Sequence, residues 1–493
     1  MTDTLLSNLR LYPKIACVAV ALALAFLLAG YDTVVLGNIT AVPEFKREFG
    51  TEYHGKSIIP TAWLSVWSAV GPIGSMAGAA AAGWLQDRAG RRPSLAASCV
   101  VCAVGIAVAF CANLAGSIAS RRGVFLVGRT LQGVGVGGAM AGAQTYLSET
   151  VPVGLRGSAL SLSPVFMLIG ELVGAAVIDA AEGRGDTAAA YLIPFGSQWA
   201  FTALPFLVAC LVPESPAYLL RRGQIEAARA SLSRLHTTSV DITSMLEEIR
   251  LSLELEEQLA LEVSYRDCFH GVNRRRTLIV CFAFVVPSFF GVPLLASASY
   301  FMQTLGMSSS LSILVLLLGI VLGLLANAVG VWLTSRIGRR PLMLVSLTLA
   351  TLLWLSMGIA GCWPSTNAVT WYAAASMIAV VVVCGLGAWP ASYAVAGEAS
   401  SLRLRARTQG LGVLTYMLSN VVMDLVLPYI YNTDAGDLRA KTGFVYAGLC
   451  AVTAATTWLL VPEMKGRTAM EIDEMFEARL QCRQFGGHVA AKV

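Results

Sequence analysis

The chain alternates about twelve apolar blocks, each near the twenty residues that an α-helix needs to cross a bilayer, with short charged connections. The blocks fall near 14–37, 59–83, 93–115, 124–147, 157–181, 192–212, 276–301, 309–334, 341–363, 369–396, 408–431 and 441–461. Of the 493 residues 56% are hydrophobic and 13% charged, against roughly a quarter charged in soluble domains. A soluble fold has no use for that much apolar surface, so the expectation is an all-α membrane protein with twelve transmembrane helices. The first block carries Asp32 and is too long for the h-region of a signal peptide, so it reads as the first span.

The blocks also repeat. GWLQDRAGRRPSL at 83–95 recurs as VWLTSRIGRRPLM at 331–343, an offset of 248 residues, as from Arg91 to Arg339. Glu149 and Arg156 recur as Glu398 and Arg405, and Pro213–Glu214 as Pro462–Glu463, at an offset of 249. Three landmarks sharing an offset of 248–249, about half the chain length, indicate a duplicated six-helix unit. The expected organisation is a six-helix bundle over 1–212, a cytoplasmic helical linker over 213–275, a second bundle over 276–463 and a cytoplasmic tail over 464–493. Within the linker, 224–235 and 246–261 alternate charge with Leu and Ile at helical spacing, as amphipathic helices do.

Arginines cluster between blocks two and three, eight and nine, ten and eleven, and in the linker. With twelve spans these all fall on one side together with both termini, and the positive-inside bias makes that side cytoplasmic. The repeated turn admits two readings: simple positive-inside anchoring, or an ion-paired latch in which Asp87, Arg88, Arg91 and Arg92 tie the halves together in one access state. Arg336, Arg339 and Arg340 repeat the arginines, but Ser335 stands in place of the acid. Glu149, Arg156, Glu214, Glu398 and Arg405 complete this candidate gating set.

These stretches, with GRTLQGVGVGG (128–138), YLSETVPVGLRG (146–157), PESPAY (213–218) and PEMKGR (462–467), resemble the motif set of the sugar-porter branch of the major facilitator superfamily. SYRDCFHGVNRRRT (264–277), PYIYNTDAGDLRAKTGF (428–444) and the terminal PEMKGRTAMEIDEMFE narrow the resemblance to fungal maltose and general α-glucoside permeases. The resemblance implies a fold of two six-helix bundles and alternating access around a midplane site. It also implies a small-molecule cargo of the sugar type, symported with a proton across a fungal-type plasma membrane.

Charged groups inside spans are functional candidates by default. Asp32 in block one and Arg129 in block four occupy the positions at which proton-coupled sugar porters pair an acid with an arginine. Protonation of Asp32 would release Arg129; the alternative is a permanent ion pair. Glu171 follows Gly170 where the family usually has a glutamine, and can bind hydroxyls, bind a cation or carry a proton, or simply pack. In block seven the amides typical of the family give way to Pro287-Ser288-Phe289-Phe290-Gly291-Val292-Pro293. Ser288, Trp389, Tyr393 and Asn420, with Tyr31 and Gln144, are the remaining candidate cavity residues. The same lining suits a bulkier, less hydroxylated molecule, so transport of a non-sugar organic metabolite stands as the second reading.

Other classes fit poorly. Gly133, Gly135 and Gly138 spell GxGxxG but sit inside an apolar helix with no preceding strand, so they read as packing glycines, not a dinucleotide site. Most of the eleven cysteines lie in apolar blocks, without metal or disulfide spacing. The four histidines fall in loops or the tail, so no enzyme is expected. Nor is a cofactor or a nucleic-acid partner: the proton gradient is the expected driving force, the lipid bilayer the surroundings, and the monomer the expected state.

Overall fold

The computed structural model describes residues 12–182, 187–236, 242–261, 264–364, 366–401, 403–467, 469–482 and 484–485. It is helical almost throughout and divides into two compact units, one of residues 1–59 with 66–261, the other of 60–65 with 262–493. In the first, α1 (Pro13–Ile39) leads to a short helix α2 (Pro43–Phe49) and a small hairpin, β1 (Thr51–Tyr53) against β2 (Lys56–Ile58). The hairpin turns through His54 and Gly55, both at positive φ, as its two-residue loop requires. There follow α3 (Thr61–Ala89), α4 (Arg91–Phe110), α5 (Ile118–Thr150), α6 (Val153–Glu182) and α7 (Ala189–Leu211). Three helices close the unit, α8 (Pro216–Arg221), α9 (Ile225–Leu235) and α10 (Ile242–Leu261), and the last two lie within a few residues of the expected amphipathic runs.

The second unit repeats the order. Its first span is in three pieces, α11 (Gly271–Phe290), α12 (Val292–Ala296) and α13 (Ala298–Thr304). Then come α14 (Ser309–Ile337), α15 (Arg339–Ala360), α16 (Asn367–Leu386), α17 (Ala388–Ala399), α18 (Arg405–Tyr431), α19 (Thr442–Leu460) and a terminal α20 (Ala469–Glu477). Among the described residues ten helical segments are long and apolar enough to cross a membrane by length and composition. With α3 and the broken α11–α13 they make the twelve spans. Two apolar blocks expected as single helices are interrupted. The seventh breaks at Gly291, which adopts φ 119° after Pro287, and the tenth breaks at Gly387 between α16 and α17.

The same pairings recur in each unit: α1 on α6 and α4 on α7 in the first, α11 on α18 and α15 on α19 in the second. Because lipid is as apolar as a leucine, spans associate through close van der Waals packing at small residues. The run 133–138 of α5 illustrates this. A Cβ on Gly133 would lie 2.5 Å from the Gly71 carbonyl oxygen of α3, and one on Gly135 only 2.4 Å from the Cys102 nitrogen of α4. Gly137 returns to α3 at Ser75, and Gly138 to α4 at Ser98. These glycines thus let α5 lie between two neighbours. Gly30 and Gly170 bring α1 onto α6 in the same way, with Cβ positions 1.9 and 2.1 Å from opposing carbonyl oxygens. Asp32 and Glu171 sit beside that crossing.

Candidate functional site

In the first unit, α1 and α5 bring Asp32 and Arg129 together as a two-pronged pair. Nη1 donates to Oδ1 at 2.6 Å and Nη2 to Oδ2 at 3.2 Å. Both residues are buried, Arg129 at 1% exposure and Asp32 at 7%, so the pair stands in low dielectric where each charge depends on the other. Gln132, one helical turn beyond Arg129, accepts from Arg129 Nη1 (2.8 Å) and donates to Asp32 (2.6 Å). Gln198 of α7 in turn accepts from Gln132. These two glutamines are functional candidates that the motif reading passed over. Gln132 lay inside a quoted motif, and its i, i+3 spacing from Arg129 was the available signal.

The other candidates of this unit diverge. Tyr31 is fully buried, stacked on Phe201 (4.5 Å between centroids), with its hydroxyl bonded to Ser197 (2.6 Å) and donating to the Pro194 carbonyl. It therefore braces α1 against α7. Gln144 is exposed, and Glu171 is part-buried, with no hydrogen bond or ion pair among the described residues.

In the second unit, candidates from three helices gather on α11. Ser288 Oγ donates to Asn420 Oδ1 of α18 (3.0 Å) and bonds Ser419 (2.8 Å). Trp389 of α17 lies 5.8 Å from Phe290, and Tyr393 makes an edge contact with Phe284, also at 5.8 Å. Gly291 then turns the chain where Trp354 leaves room for no side chain: an added Cβ would be 2.8 Å from its ring. Trp354 donates to the Phe290 carbonyl (3.0 Å) and stacks on Tyr446 (5.0 Å). Asp424, four residues beyond Asn420, is an ionisable group inside a span that motif reading overlooked. It falls between the quoted motifs, just ahead of 428–444, and only its intramembrane position marks it.

At the arginine-rich ends the two units carry one device twice. Gly90 and Gly338, at φ 106° and 115°, place the next two backbone N–H groups against a glutamate. Glu214 accepts from Arg91 N (2.9 Å) and Arg92 N (3.2 Å); Glu463 accepts from Arg339 N (3.2 Å) and Arg340 N (3.0 Å). A carboxylate on the first turn of α4 or α15 satisfies donors that the helix cannot and meets the positive end of its dipole. Arg91 grips Glu149 through Nε (2.9 Å) and Nη2 (2.7 Å), and Arg339 holds Glu398 at 2.5 Å. Arg92 donates to the Ala209 and Cys210 carbonyls, Arg340 to that of Trp458. Arg88 and Arg336 lie over Trp84 and Trp332.

All these contacts are within a unit. Asp87 is exposed and only 3.9 Å from Arg91, while Arg405 donates to the Gly397 carbonyl (2.9 Å). The Arg156 side chain is outside the described residues.

A bundle of twelve spans in two repeated halves, with a buried acid–arginine pair in one and a broken helix in the other, is that of a secondary transporter. Residues 17–476 match the Sugar (and other) transporter family, and the chain belongs to it. It is similar to the MFS transporter fmqE of Aspergillus fumigatus, 34% identical over 92% of this chain and 84% of the relative. It is 28% identical to the maltose permease MAL61 of Saccharomyces cerevisiae, over 98% of this chain and 78% of that one. Among solved structures, the fold matches the xylose transporter XylE of E. coli with a TM-score of 0.75 at 21% identity, over 92% of this chain and 100% of the other. The protein is a multi-pass membrane transporter with the major facilitator fold.

Proposed function

We propose that this chain is a proton-coupled symporter of a sugar, of the hexose or α-glucoside type, working by alternating access. The observation that carries the reading is the desolvated, bidentate Asp32–Arg129 pair. An ionised Asp32 holds Arg129 and Gln132. A proton delivered by hydronium neutralises the carboxylate, leaving water, and converts two charge-assisted hydrogen bonds into weaker ones. The arginine is then free to shift, and the halves to change access. One proton moving through 100 mV contributes about 2.3 kcal/mol to the cycle. For the cargo, the Ser288–Asn420 pair offers hydroxyl-binding groups, and Trp389 beside Phe290 offers a ring face. The resemblance to a maltose permease supports the same choice. The membrane would be the plasma membrane, the arginine-rich ends and both termini cytoplasmic, and the working form a monomer.

One observation favours a second reading, a non-sugar organic metabolite carried by the same fold. Helix seven presents Pro287–Pro293 with no amide side chain, leaving an aromatic, proline-bounded wall.

The test is uptake of a panel of labelled solutes at several external pH values by the wild type and by Asp32→Asn. Sugar uptake that rises at acidic pH and loses that dependence in the variant is the expected result. Uptake indifferent to both pH and the variant would end proton coupling, and a panel in which only non-sugars move would install the second reading.

A further inference from the structure

Asp424 lies in α18, seven residues before its Tyr431 end, about 10 Å along the helix axis at 1.5 Å per residue. A carboxylate at such a depth is stable only if paired, hydrogen-bonded or neutralised. In the first unit Asp32 receives hydrogen bonds from Arg129 and Gln132. Among the described residues Asp424 has neither a hydrogen bond nor an ion pair.

Nor, among the described residues, is any cation of the elements packed on α18 paired with it. Those packed most closely are α11, α12, α17 and the turns 265–269 and 439–441. On α11 the basic residues Arg274, Arg275 and Arg276 stand at the arginine-rich start, where Arg276 is paired with Asp473. Arg266, Asp267 and His270 belong to that same end, and α12 has no ionisable side chain. On α17 the groups are Tyr393 and Glu398, the latter held by Arg339. Arg439 is paired with Asp437 at 2.8 Å, and Lys441 shares their end. Arg405 and Arg407, on the same helix, are roughly 28 and 26 Å away along its axis. The groups within electrostatic range are the phenols of Tyr431 and, from α19, Tyr446, neither of which brings a positive charge.

The placement is not accidental filler. Asn420 precedes Asp424 by one turn on the same face, and its amide is bonded to Ser288 of the broken helix. Ser419, Asn420 and Asp424 form a polar stretch beginning at the Ser288 contact, and two turns on, past the buried Leu427 and Pro428, Tyr431 shares its face. At that end Tyr300 donates to Asn432 (3.1 Å).

We propose that Asp424 is a proton-binding carboxyl of the second unit, separate from Asp32. The carboxylate takes a proton from hydronium, leaving water and a neutral acid in the span beside Asn420 and Ser419. It needs no counter-ion in the fold, and it stands or falls independently of the Asp32–Arg129 reading.

The test is infrared spectroscopy of the purified full-length protein at neutral pH in H2O and D2O. A protonated-carboxyl carbonyl band that shifts in D2O is expected in the wild type, retained in Asp32→Asn and diminished in Asp424→Asn. Where Asp424→Asn does not fold, Asp424→Glu keeps the acid but moves it by one methylene, and the band should shift in frequency. A band unchanged by either substitution overturns the proposal. So does a band abolished by sodium chloride but not by choline chloride at equal ionic strength, which would make the site one for a metal cation.

Discussion

The two halves agree where they meet the arginine-rich side and differ inside the membrane. At that side the repeats match group by group: positive-φ glycine, glutamate on a helix start, arginine on a second glutamate, and a further arginine on carbonyls at the end of the sixth span of each half. Even the return of the chain is echoed. Lys14, at the start of α1, donates to the His236 carbonyl (3.0 Å), and Arg275, at the start of α11, to that of Leu480 (2.6 Å). Within the spans, the first half holds Asp32 in a buried arginine pair beside the unpaired Glu171 and has an unbroken first helix, while in the second Asp424 has no ion pair among the described residues and the first helix is in pieces. The difference teaches that duplication has kept the frame and released the interior. Turn geometry tolerates little change, whereas a cavity gains function by asymmetry.

That contrast can be broken experimentally. The largest effect is expected at the repeated arginine, and it should be unequal. Arg91 is 3% exposed against Glu149 at 12%, while Arg339 is 17% exposed against Glu398 at 29%. Stranding a buried partner costs about 3–5 kcal/mol, and a part-exposed one less. Arg91→Ala should therefore lower the melting temperature of the purified protein more than Arg339→Ala; equal losses would mean that burial does not separate the two copies.

Next comes the break in helix seven. Gly291→Ala places a Cβ at φ 119° and against Trp354, and should destabilise by about 1–3 kcal/mol, with a matching loss of transport. Unchanged stability and uptake would show that the break is not needed.

The smallest effect concerns the returning segment of the first half. His236 is buried against Tyr12, and burial, then Lys14, holds its imidazole below the usual value. The fold thus favours neutral His236. Its contribution is complete above the unfolded value of about 6.5 and declines as pH falls below that. Between pH 7.5 and 5.5 the melting temperature of the wild type should fall more than that of His236→Gln; parallel curves would remove the histidine from the account.

Much of this was legible beforehand because membrane crossing imposes length, composition and charge placement along the chain itself. The Asp32–Arg129 pairing was inferred from a resemblance and an intramembrane charge, and the structure brings the two residues together. The break at Gly291 was signalled only as a kink, since Pro287 and Pro293 announce disruption without giving the backbone angle. Tyr31 shows the limit of residue type: a tyrosine beside a key acid suited a cavity wall, yet its hydroxyl is bonded to Ser197. Gln132 and Gln198 became candidates only when three helices met, with Gln132 donating both to the Asp32 carboxylate and to Gln198. By itself the sequence determined the spans, the duplication and the arginine frame, because these depend on periodicity and spacing. Which acid is paired and which stands alone was decided by tertiary structure, because pairing depends on the faces that different helices turn toward each other.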